Sequence, residues 1–349
     1  MRALLQLILP IYLPMVLFAT AIFAILPGLP GYLTEIGAAV GLVGVILALR
    51  GGGTLLVDLP GGLLLARIGS RRIMSLAALV LVGVGVVLST VPLLPVAALC
   101  VLLIGGMSAL FVLGLQSHVR TRMPPDPRRR ALSSVVESMR IGALAGPAVG
   151  GAVTDALSMS ATFLLFSLFI SAAFTFVMIF LPGAPRQETA PAGSAAPRFA
   201  TIGRLITRPV PGMYAVGGAL VALMLLRASR SIILPLWGES IGLSVSRIGL
   251  VMSGAALFDL LLFIPAGLIM DRAGRKVAGT LCMGVFTLGL ALIPLTGYVA
   301  GFVLAAALIG IGNGFGAGIN LTMGADLAPD EQTGPFLGLW RLFGDIGTT

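Results

Sequence analysis

The chain has 349 residues, 58% of them hydrophobic and 10% charged, with 22 Lys and Arg against 13 Asp and Glu and a single His. So little polar surface cannot cover a water-soluble globule of this length, which puts the chain among polytopic membrane proteins. The net charge of +9 does not imply a nucleic-acid partner, because the bases are mostly Arg in short turns between apolar runs, with no basic face and few aromatics beside them.

A crossing needs about 20 apolar residues, and on that ruler helical spans are expected near 4–26, 40–65, 73–91, 95–117, 131–154 and 160–181. The first run has no small-residue cleavage site and reads as a retained span rather than a signal peptide. Residues 183–209, rich in Pro, Ala, Gly and charge, read as a solvated linker. Spans resume near 211–236, 245–269, 277–295 and 299–324, and an eleventh starts near 334. The expected fold is an all-α membrane protein with an amino-terminal six-helix half (1–182), a linker (183–209) and an incomplete carboxy-terminal half (210–349). Ten spans are complete and the eleventh is partial.

Cytoplasmic loops retain Lys and Arg. Alternate loops on one side hold fifteen bases, while the other side holds only Arg247, so the N-terminus with Arg2 and the central linker are placed inside. The segment "ADLAPDEQTG" (325–334) runs against this pattern, being acidic where bases are expected. Cys100 and Cys282 lie in apolar runs without any ligand spacing, so they read as packing residues, and no metal, disulfide or cofactor is expected. His118, at the cytoplasmic end of the fourth run, reads as a solvated interfacial residue. No nucleophile, base or paired-carboxylate constellation has catalytic spacing, so an enzyme is not expected.

The chain repeats itself at an offset of 205 positions. "GLLLARIGSR" (62–71) and "GLIMDRAGRK" (267–276) share an outline, with Gly62 answering Gly267, Arg67 Arg272, Gly69 Gly274 and Arg71 Lys276. Asp271 is answered by Ala66 and Arg275 by Ser70, while Gly44 meets Gly249 and Pro60 meets Pro265 at the same offset. This is a parallel duplication of the kind found in transporters built from two halves. In "GALAGPAVGG" (142–151), Gly142, Gly146, Gly150 and Gly151 fall near one helical face, where another helix can approach closely, and Pro147 permits a bend. "GIGNGFGAG" (310–318) follows no strand and reads as part of a close-packed tenth helix rather than a dinucleotide loop.

These motifs, in register with the span pattern, resemble the major facilitator superfamily. Its signature between the second and third helices is complete at Gly267, Asp271, Arg272, Gly274, Arg275 and Lys276, and partial at Gly62, Arg67, Gly69 and Arg71. Gly142, Gly146, Pro147, Gly150 and Gly151 match the fifth-helix motif of that family's antiporting exporters. The resemblance implies a monomeric secondary transporter of the bacterial inner membrane, with a small-molecule substrate, protons and the lipid bilayer as its partners. Its function is expected to be proton-coupled export of small amphipathic compounds, the alternatives being a metabolite symporter or uniporter and a non-transporting sensor or scaffold. The family's twelve-helix pattern further implies that this chain stops within the eleventh helix. In the family the signature acid lies in the amino-terminal half, where this chain has Ala66.

Charges inside membrane spans are costly and mark function. At about 1.5 Å per residue they fall into two layers: Asp58, Glu137, Arg140, Asp259, Arg341 and Asp345 at about 9–16 Å from the cytoplasmic end, and Arg50, Arg227 and Arg230 at about 24–28 Å. The resemblance packs the second helix on the eleventh and the fifth on the eighth, which implies gating ion pairs of Asp58 with Arg341 and of Asp259 with Arg140. Asp58, Asp259, Glu137 and Asp345 are candidates for proton coupling. Arg230 can snorkel outward or meet Glu239. Arg50 and Arg227 have no acid at their own depth and are candidates for binding an anionic substrate group.

Overall fold

Residues 12–122, 125–180, 210–329 and 333–348 are described in this computed structural model, and every regular element among them is a helix. Two compact units result. One comprises the described residues up to 187 together with Ile232–Ala256, and the other the described residues of Glu188–Ser231 and Leu257–Thr349. The linker expected at 183–209 lies outside the described residues.

The first unit begins with α1 (Leu13–Ala24) and α2 (Leu29–Glu35), which together are apolar enough for one crossing but are bent by 40°. The first span therefore extends beyond the expected end at residue 26. Pro30 sits in the first turn of α2, where its missing N–H costs no hydrogen bond. Next come α3 (Val40–Ile68), α4 (Ser70–Thr90), α5 (Leu94–Arg122), α6 (Pro125–Ala156) and α7 (Met159–Phe180). α3 packs on α5, α4 on α5 and α7, and α1 on α6 and α7. The core of this unit includes Phe18 stacked on Phe111, with ring centroids 4.3 Å apart, and Tyr32 edge-on to Phe163 at 5.0 Å.

The carboxy-terminal sequence forms α8 (Met213–Ser240), α9 (Val245–Leu261), α10 (Phe263–Ala273) and α11 (Arg275–Leu292), followed by a 3-10 turn at Ile293–Leu295. Then come α12 (Val299–Phe315), α13 (Ile319–Leu327) and α14 (Thr333–Thr348). Two expectations are corrected here. The span expected at 245–269 is broken at Leu262, where α9 and α10 meet at 42°, and it runs on to Ala273. Pro265 supplies no N–H for the carbonyl of Leu261, which opens the ladder at this point. The span expected at 299–324 is broken as well: α12 ends at Phe315, and α13 starts after Gly318, whose φ of +77° ends a turn in the left-handed region. The eleventh run, α14, is tied to α13 by Trp340, whose Nε1 donates to the backbone O and the Oδ1 of Asn320 at 3.0 and 2.8 Å.

Candidate functional site

The basic loops come first in the chain. Gly69 and Gly274 have nearly the same backbone, φ +82° and +86° with ψ 161° at both, in a region that is essentially closed to residues with a Cβ. A helix ends and the next begins at that single residue, so glycine is needed in both copies. Gly62 and Gly267 have open space where a Cβ would stand. A further glycine pair at the same offset, Gly37 and Gly242, was not singled out by sequence. Gly37 donates to Thr34 O and Ala38 N to Leu33 O, while Gly242 donates to Glu239 O and Leu243 N to Gly238 O, giving the same helix stop in both halves.

The polar partners differ between the copies. Arg71 donates from Nη2 to Met178 O at 3.1 Å, a cation at the carboxy-terminal end of α7. Arg275 donates from Nη2 to Asp326 Oδ1 at 3.0 Å and pairs through Nε with Asp326 Oδ2, a two-point grip between α11 and α13. That pair accounts for an acid in the segment 325–334, where the charge pattern wanted bases. Ser70, the counterpart of Arg275, lies 3.4 Å from Nδ1 of His118. His118 is buried, at 6% exposure, which corrects the expectation of a solvated histidine. Arg67, Asp271, Arg272 and Lys276 are exposed.

On α6 the glycines lie too close to neighbouring helices to admit a Cβ. A Cβ at Gly142 would lie 2.3 Å from the Cβ of Ala19, at Gly146 2.8 Å from Thr20 O, and at Gly150 1.8 Å from Ala24 O, all on α1. Gly151 faces Val245 O, and Gly249 on α9 faces Pro147 O, where a Cβ would lie at 2.1 Å. Beside Pro147, the N–H of Ala148 donates to Ser253 Oγ at 3.1 Å. Sequence reasoning missed Asp155, whose Oδ2 accepts the N–H of Ser246 at 3.0 Å in the first turn of α9. The only sequence signal for it was an acid level with a serine-rich helix start. On the same helix Glu137 is exposed and Arg140 is partly buried.

The second unit gathers polar groups around its two helix breaks. Arg227 on α8 donates from Nε to Asn313 Oδ1 at 2.7 Å and from Nη2 to Gly316 O at 3.2 Å. The guanidinium thus occupies the carboxy-terminal end of α12, where unpaired carbonyls carry partial negative charge. A Cβ at Gly314 would lie 2.7 Å from the Leu262 Cβ and 3.3 Å from the Asp259 Cα, so the two breaks touch. Asp259 is 8% exposed. Cys282, buried and reduced like Cys100, lies against Gly316. No group of three or more metal-ligating side chains occurs among the described residues. On α14, Arg341 Nε lies 3.6 Å from Asp345 Oδ2, one turn along the same helix, so these two expected site residues are together. The side chains of Asp58 and Ala66 lie outside the described set.

Residues 11–349 match the family model described as Major Facilitator Superfamily. Among solved structures, the chain is similar to a D-xylose-proton symporter, with 18% identity over 99% of this chain and 88% of that one and a TM-score of 0.73. It is also similar to a peptide transporter POT mutant in complex with sulfate, with 16% identity, 99% and 87% coverage and a TM-score of 0.79. A third is a POT family transporter in complex with 5-aminolevulinic acid, with 16% identity, 99% and 88% coverage and a TM-score of 0.74. No curated protein sequence matches the chain.

Proposed function

The chain belongs to the Major Facilitator Superfamily, as a multi-pass secondary transporter and not an enzyme, and we propose that it exports small amphipathic compounds in exchange for protons. The observation that carries proton coupling is Asp259, the one buried acid among the described residues, set on α9 beside two touching helix breaks. Broken helices at membrane depth are tolerated where the freed backbone groups find partners, and such breaks are where transporters build sites. Export rather than import is supported by the glycine motif of α6.

On this reading the protein lies in a bacterial inner membrane as a monomer, with its N-terminus and central linker inside. Asp58, Glu137 and Asp345 are the further proton candidates. Asp58 with Arg341 and Asp259 with Arg140 are the proposed gating pairs, placed by their matching depths in the sequence. Charge exchange tests them: Asp58→Arg or Arg341→Asp alone abolishes transport and the two together restore part of it. A double exchange no better than either single change removes the pairing.

The reading itself is tested in inverted vesicles carrying an imposed pH gradient. Added amphipathic compounds should release protons from the vesicle interior as they are taken up. Substrate movement in the same direction as protons would instead favour a symporter, the activity named for the D-xylose-proton relative.

A further inference from the structure

The arginines within the apolar helices are nearly all occupied. Arg227 holds Asn313 and Gly316, Arg341 holds Asp345, and Arg140 and Arg230 each have an interaction. Arg50 is different: its guanidinium has no hydrogen-bond or ion-pair partner among the described residues, and it is partly buried. It lies ten residues after Val40, about 15 Å along α3 from the end expected to face outward. A charge left at this depth without a partner is expensive and marks a ligand path.

The backbone around Arg50 is fixed. A Cβ at Gly105 on α5 would lie 1.8 Å from Arg50 O, and one at Gly53 would lie 2.0 Å from Leu102 O, so α3 and α5 cross at backbone contact. Thr54 Oγ lies 3.3 Å from both Arg50 O and Gly105 O and laces the crossing together. A second polar group, one turn along α5, is also unmet among the described residues. Ser108 Oγ, three residues past Gly105, is buried and has no hydrogen-bond partner among the described residues. Buried polar groups are ordinarily paired, so this hydroxyl, one turn along α5 from the glycine that meets the Arg50 backbone, is a second group suited to serve a ligand.

We propose that Arg50 and Ser108 form the anion-binding end of the substrate site, and that the compounds carried are amphipathic monoanions such as carboxylates or sulfonates on an apolar body. This rests on the transporter reading above. One guanidinium neutralises one charge, the hydroxyl serves a second oxygen, and the apolar helices around them take the rest of the molecule.

Binding to the purified chain in detergent tests this apart from transport, with 4-phenylbutyrate and its neutral amide as matched probes and thermal stabilisation as the readout. The carboxylate should bind at least tenfold more tightly than the amide. Arg50→Gln should erase that preference, Arg50→Lys should keep part of it, and Ser108→Ala should weaken carboxylate binding severalfold while leaving the amide unchanged. Equal affinity for acid and amide in the unaltered chain, or a preference that survives Arg50→Gln, overturns the proposal. Proton release by neutral or cationic compounds in inverted vesicles, without any anion preference in binding, leaves the transporter reading standing and removes this inference alone.

Discussion

The two copies of the duplicated half keep the same helix stops but treat their long helices differently. Gly37 and Gly69 recur as Gly242 and Gly274, all four with positive φ. Yet α3 runs unbroken through Pro60 from Val40 to Ile68, while its counterpart breaks at Leu262 near Pro265, and α5 runs unbroken from Leu94 to Arg122 while its counterpart breaks at Gly316–Gly318. A proline alone therefore does not decide a break. What distinguishes the second copy is that the carbonyls freed at Gly316 have a partner, Arg227, and that the two breaks lean on one another. The first copy keeps these helices whole and crosses them at close contact, α3 with α5 and α1 with α6.

The largest expected effect breaks that contrast on the first side. Gly150→Val places its Cβ against Ala24 O and should cost at least the upper end of the usual overpacking range of about 1–3 kcal/mol. Gly62→Val and Gly267→Val enter open space and should stay within about 0.5 kcal/mol of the parent. Denaturation in detergent compares the three, and equal losses would mean that the α1–α6 contact is not what requires glycine.

The next effect falls on the second side. Arg227→Gln removes a charged donor from Asn313 and from the end of α12, a loss of about 1.5–3 kcal/mol, with faster proteolysis at 316–318. A smaller effect sharpens the difference between the loops. Arg275 and Asp326 are half exposed, so a double-mutant cycle with alanine should return a coupling of only about 0.2–1 kcal/mol that fades with added salt. The cycle Ser70→Ala with His118→Ala probes a hydrogen bond rather than an Arg–Asp pair and should depend less on salt.

Much of this architecture was legible because its signals are local. Span positions follow from apolar run length, the turns at Gly69 and Gly274 from a backbone only glycine adopts, and the close face of α6 from four-residue spacing. The break at 316–318 was not legible, since "GIGNGFGAG" sits in an apolar run and its glycines serve a continuous close-packed helix as well as a turn. The partner of the turn's carbonyl is Arg227, 89 residues before Gly316 in the chain. Asp326 looked like a violation of the charge pattern until Arg275 supplied its reason, and His118 looked solvated because burial at a helix end is decided by Ser70 on a neighbouring helix. Asp155 was hidden for the same cause, its partner being a backbone N–H that carries no residue identity.

The measurement that tests the central claim most directly is proton-driven exchange by Asp259→Asn in inverted vesicles, run beside energy-independent counterflow of the same compound. If Asp259 carries the coupling proton, the variant loses pH-driven accumulation while counterflow continues. Unchanged accumulation at every imposed gradient would contradict the account and place coupling on another residue or on none.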